Sequence, residues 1–180
     1  MYKGTKNVAI VSMGDGAVRQ GMLHETFNMA MNWKIPVIFI IENNKYGMGT
    51  SVDRASASRD LSQNGAPWGI PGEQVNGMDV ASVREAGERA VAHCRAGKGP
   101  YLLEMKTYRY RGHSMSDPAK YRSREEVQDM RENHDPIEGA KAELLARGIA
   151  LQDALPAFTS NVAGLLRLPG KGRIAAGADA

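Results

Sequence analysis

Apolar positions come in blocks separated by glycine-rich and polar stretches. Val8–Ser12 is short, apolar and rich in β-branched residues, and it stops just before Gly14. That pattern predicts a buried parallel strand. From Gln20 to Trp33, the residues Met22, Leu23, Phe27, Ala30 and Met31 recur at helical spacing, which predicts a helix. "PVIFII", Pro36–Ile41, is a second continuous apolar strand. Strand, helix and strand in this order predict a parallel βαβ unit. Glu42–Asp79 follows, rich in Gly, Asn, Pro and Ser, and reads as a long irregular segment of the kind that usually carries function. Val80–Arg95 is a second helix with Gly97 as its stop, and Pro100–Tyr110 is a third strand. Arg111–Ser123 is again irregular. Ser123 and Glu126 form a capping box that opens a third helix, and Asp135-Pro136 starts a fourth. The expected fold is α/β, a parallel sheet flanked by helices, over residues 1–148. Residues 149–180 form an atypical tail whose last dozen residues, ending "KGRIAAGADA", are expected to be disordered.

Composition narrows the function classes. A chain of 180 residues suffices for one domain with a real core. Its net charge of +3 is spread along the chain, a poor footing for nucleic-acid binding. No apolar run reaches membrane-spanning length. The single cysteine, Cys94, excludes an internal disulfide and reads as a small core residue of the second helix. The N-terminus enters a strand almost at once, so the chain is expected to be part of a larger protein, truncated at the front.

The chemistry lies at the strand ends, where parallel sheets bind ligands. The first strand runs into Gly14-Asp15-Gly16 and the second into Asn43-Asn44-Lys45-Tyr46-Gly47. Either segment alone reads as a turn. At the ends of neighbouring strands, Asp15 and Asn44 would face one crevice. A carboxylate and an amide oxygen are hard ligands suited to magnesium or calcium, and magnesium usually completes its shell with phosphate oxygens and water. Glycines beside Asp15 let backbone N–H groups approach a phosphate, and the helix that follows adds its positive end. The residues therefore read as a magnesium–diphosphate site.

The spacing, with 26 residues between Gly16 and Asn43, resembles the thiamine diphosphate-binding motif. "GDGAVRQGMLHETFNMA", "FIIENNKYGMGTSVDRASAS", "IPGEQVNGMDV" and "TYRYRGHSMSDP" closely resemble the alpha subunits of the decarboxylating component of pyruvate dehydrogenase complexes, from Tyr2 to about Gly148. The resemblance implies a thiamine diphosphate-binding fold, present in part, with thiamine diphosphate and magnesium as cofactors. It implies that Asp15 and Asn44 ligate magnesium through their side chains and Tyr46 through its carbonyl. Gly14, Gly16 and Ala17 would lie against the diphosphate. His113, in a loop, would sit over the cofactor near the reacting centre and act as the catalytic residue. On the residues alone, His113 also reads as a surface histidine, and "YRYRGH" as an aromatic–basic patch whose arginines share one strand face. The family likeness favours the cofactor loop.

The implied activity is oxidative decarboxylation of pyruvate and transfer of the acetyl group to a lipoyl acyltransferase. The implied assembly is two alpha and two beta subunits. Ser114 matches a serine phosphorylated in the mitochondrial enzymes. The next serine of that pattern is missing, with only Ala119 and Lys120 before Tyr121. That departure favours a bacterial, cytoplasmic member over a mitochondrial-matrix one. Branched-chain 2-oxo acids or acetoin are the alternative substrates. A different class of reading is an inactive binding module, with Met22, Phe27 or Met31 exposed as orphaned interface.

Overall fold

The computed structural model describes residues 4–150 and 152–153. They fall into two units that divide in the chain between Asp135 and Pro136. The first unit contains, in order, β1 (Ala9–Gly14), α1 (Gly21–Asn32), β2 (Val37–Asn43), β3 (Tyr46–Gly47), β4 (Thr50–Ser51) and α2 (Val52–Ala55). A 3-10 run (Leu61–Trp68) follows, then β5 (Gly72–Asn76), α3 (Val80–Arg95), β6 (Tyr101–Lys106) and α4 (Arg124–Asn133). Described in the second unit is α5 (Pro136–Ala146), which begins at the expected proline. Apart from residues 149, 150, 152 and 153, the expected tail lies outside the described residues.

Four parallel strands pair in the order β1-β2-β6-β5, while β3 and β4 form a separate antiparallel pair. This is the expected parallel sheet flanked by helices. Alternate residues of β2 feed two cores. Val37, Phe39 and Ile41 pack with Leu23, Phe27 and Ala30 of α1. On the other face, Ile38 packs with Ala86, Ala90 and Cys94 of α3 and with Leu103 and Met105 of β6. Phe27 and Ile41 are fully buried. Full burial of such a side chain stabilises by about 1.5–3 kcal/mol. Cys94 is a core residue, as read, and burial pushes its thiol upward. The reading that would expose Phe27 is overturned, because α1 turns that ring against Phe39 at 4.8 Å. Met31 also packs against this core, whereas Met22 is exposed.

Three expectations need correction. The first strand forms, but it is not buried. Among the described residues it pairs only with β2, and Ile10 and Val11 are 64% and 44% exposed. An apolar run reports which surface needs cover, not what covers it. The segment 42–79 is not wholly irregular, since it holds β3, β4 and the sheet strand β5. The sequence "GEQVN" of β5 buries only Val75, so its apolar signal is a single residue. The third strand ends at Lys106 rather than Tyr110. Tyr108 to Arg111 therefore lie outside the strand, so strand alternation does not relate the two arginines, of which Arg109 is half-buried and Arg111 exposed.

Candidate functional site

In the register of β1 and β2, Gly14 stands opposite Glu42, so the turns that follow lie side by side. Their contact is backbone against backbone. A Cβ built on Gly47 would stand 3.2 Å from the Gly16 Cα and 3.9 Å from Asp15 Oδ2. Gly47→Ala is therefore expected to push the turns apart. Overpacking of this kind costs about 1–3 kcal/mol. Denaturant unfolding should read that loss, and a midpoint equal to wild type would contradict the close packing. Gly14 has open space where a Cβ would stand, and both Gly14 and Ala17 are exposed.

Asp15 is only 5% exposed. Burial pushes its carboxyl above the ordinary value, while the N–H of Asn44 and the charges of Arg109 and Arg122 pull it back. Asn44, whose backbone N–H bonds that carboxylate, carries a side-chain Oδ1 that is buried with no hydrogen-bond partner among the described residues. A buried carboxylate beside an unmet amide oxygen is a donor set that a hard cation completes. The Tyr46 carbonyl accepts from Arg109 Nη1 at 3.2 Å, which leaves it one lone pair. Among the described residues, no three His, Cys, Asp or Glu side chains converge to hold a metal. A divalent ion at Asp15 would thus need oxygens from a ligand and water, as magnesium does at phosphate sites. A cleft of about 280 Å³ opens beside Asp15, Gly16 and Gly47, with Arg19 and Ser56 on its wall.

Two arginines frame the site: Arg109, which the sequence places in the cofactor loop, and Arg122, which the sequence pattern did not single out. Arg109 Nη2 donates to the Met48 carbonyl at 2.8 Å and to the Tyr121 hydroxyl at 2.9 Å. Arg122 is buried, donates to the Asn44 carbonyl at 2.9 Å and stacks over the rings of Tyr46 and Tyr108. Arg109 Nε and Arg122 Nε and Nη1 have no acceptor among the described residues. One buried and one half-buried guanidinium with spare donors suit an anion with several oxygens. Signals for this pair existed: Asp117-Pro118 marks a turn, and Tyr121-Arg122 sits just before the Ser123 cap. The cap itself is as read, with Ser123 accepting from the Glu126 N–H at 3.0 Å.

His113 is exposed. Its N–H donates to Asp117 Oδ2 at 2.7 Å, and that carboxylate also accepts from the Tyr121 hydroxyl at 2.6 Å. The Tyr121 hydroxyl and the backbone N–H groups of His113 and Ala119 hold Asp117 down to about 2. The structure thus brings together Asp15, Gly16 and the Asn44–Gly47 turn. The His113 loop is tied to that turn through Asp117, Tyr121 and Arg109.

Residues 1–166 match the dehydrogenase E1 component family. The chain is 61% identical over 161 residues to the pyruvate dehydrogenase E1 component subunit alpha of Rhizobium meliloti, covering 89% of this chain and 46% of that protein. Its identity to the subunit of the same name from Zymomonas mobilis is 57% over 148 residues, covering 82% and 42%. Against the human somatic mitochondrial form it is 52% over 155 residues, covering 86% and 39%. The chain therefore spans less than half the length of these curated relatives. By this match over most of its length, and by its parallel sheet flanked by helices, the chain belongs to the dehydrogenase E1 component family.

Proposed function

We propose that the chain is the cofactor-anchoring part of the alpha subunit of a thiamine diphosphate-dependent pyruvate dehydrogenase of the acetyl-transferring type. The observation that carries the reading is the buried, unpartnered Oδ1 of Asn44, the residue whose backbone N–H bonds the buried Asp15 carboxylate. The pyruvate assignment draws on the names of the relatives. Asp15 and Asn44 would ligate magnesium, with the Tyr46 carbonyl as a third oxygen through the lone pair that Arg109 leaves free. Backbone N–H groups of Gly14, Gly16 and Ala17 would take diphosphate oxygens, and the spare donors of Arg109 and Arg122 would balance their charge. His113, on the loop held by Asp117, would close over the bound group and contact it near the reacting centre. When bound, thiamine diphosphate supplies a thiazolium that acts as the electron sink for loss of carbon dioxide from a 2-oxo acid. This chain's share is to hold the far end of that cofactor so that its reactive ring is positioned.

The domain for this task would be residues 1–148. The working assembly would be two alpha and two beta subunits, passing the acetyl group to a lipoyl acyltransferase. Bacterial cytoplasm is the expected compartment, or the mitochondrial matrix for a eukaryotic source. No helix among the described residues is long and apolar enough to cross a membrane, and neither a membrane nor a nucleic acid is a proposed partner. The test is turnover of the full-length alpha subunit with and without its beta subunit, on pyruvate and on a branched-chain 2-oxo acid. Acetyl transfer from pyruvate only in the presence of both subunits is expected. A clear preference for the branched substrate would overturn the pyruvate assignment.

A further inference from the structure

One charged group in the sheet plays no part in the site described above. Glu104, in β6, is 0% exposed. Burying a carboxylate is costly unless donors satisfy it. Here three donors do: Asn43 Nδ2 reaches Oε1 at 2.7 Å, and the Ser62 N–H and Gln74 Nε2 both reach Oε2 at 2.9 Å. All three are N–H donors, so both carboxyl oxygens of Glu104 act as acceptors. No arginine or lysine is among them.

The Asn43 contact leads to the candidate site. Its Nδ2 faces Glu104, and its Oδ1 accepts from the Lys45 N–H at 3.0 Å. The amide is therefore fixed in one orientation, because flipping it would set a donor against the Lys45 N–H and an oxygen against the carboxylate. That bond closes a turn around Asn44, with Lys45 in the left-handed region at φ 73°. An L residue there is strained and needs a surrounding that holds it. Asn44 carries the unpartnered Oδ1, and its N–H donates to Asp15.

We propose that Glu104 is a positioning residue for the magnesium–diphosphate site. It acts through Asn43 to fix the turn that presents Asn44, and through Ser62 and Gln74 it anchors that turn to the 3-10 run and to β5. The proposal rests on the reading of Asp15 and Asn44 as magnesium ligands. Outer partners of metal ligands typically contribute about ten- to hundredfold in affinity.

The test is magnesium-dependent binding of thiamine diphosphate to the full-length assembled component, followed by calorimetry. Variants are Glu104→Gln, Asn43→Ala and the double substitution, with Asp15→Ala as reference. Glu104→Gln keeps the volume but replaces one acceptor edge with a donor, so it tests the hydrogen bonds without opening a cavity. Each single variant is expected to weaken magnesium-dependent binding by about tenfold or more. The double variant should lose no more than the weaker-binding single, because both act on one turn. Additive losses, or a Glu104→Gln protein that binds like wild type while Asp15→Ala does not, would overturn the positioning role alone. If Asp15→Ala also binds normally, the underlying reading of the site is what fails.

Discussion

Asp15→Ala should abolish magnesium-dependent binding of thiamine diphosphate by the full-length assembled component. A loss beyond about a hundredfold is expected, more than outer-shell substitutions typically cause. Asp15 would supply the charged ligand of the proposed set, and among the described residues no cluster of three or more His, Cys, Asp or Glu side chains offers another metal site. The pH dependence gives an independent signature. Burial raises the Asp15 carboxyl above its ordinary 3.8, so the folded state holds this proton more tightly than the unfolded chain. Without metal, the contribution of Asp15 to stability is fully present below 3.8 and is lost as pH rises through the raised value. A bound divalent cation favours the ionised form and opposes that loss. The rise in thermal midpoint on adding magnesium and cofactor should therefore grow as pH increases across this titration. Asp15→Ala should flatten that growth. A variant with the wild-type profile would remove Asp15 from the site.

Arg122→Ala should be the most destabilising single change around the anion-facing side of the site. Arg122 is 9% exposed, holds the Asn44 carbonyl at 2.9 Å and lies 4.8 and 4.7 Å from the Tyr46 and Tyr108 ring centres. Truncation leaves a void among the rings and frees the Asn44 carbonyl. Losing such a bond costs about 1.5–3 kcal/mol before the packing loss is added. Arg122→Lys should not restore it, because an ammonium cannot stack and bond as a planar guanidinium does. Denaturant unfolding should show the loss. Competition between thiamine diphosphate and thiamine should show a reduced preference for the diphosphate form. Wild-type stability together with unchanged preference would contradict both roles.

The contrast between Asp15 and Arg122 shows what was legible in the sequence. Asp15 lies within a local signal, an apolar strand ending in Gly-Asp-Gly, and successive strands of a sheet are usually neighbours, as β1 and β2 are here. Fold class and the pairing of the Asp15 and Asn44 turns follow from that local pattern. Arg122 lies 78 residues from Asn44 in sequence, and only the folded loop brings them together. Glu104 was hidden differently. Set in the apolar run "YLLEMK", it looks like a strand residue facing solvent, yet three donors from separate segments enclose it. The strand β5 was missed because it buries one apolar side chain, and the exposure of β1 because composition carries no information on neighbours.

The most direct test of the magnesium–diphosphate clamp is a titration of thiamine diphosphate into the full-length assembled component. It is run in excess magnesium and again with the metal chelated, for the wild type and for Asn44→Ala. Tight binding by the wild type only with magnesium, and its loss in Asn44→Ala at the same magnesium concentration, is the predicted result. Equal affinity with and without the metal, or an Asn44→Ala protein that binds as tightly as wild type, would contradict it.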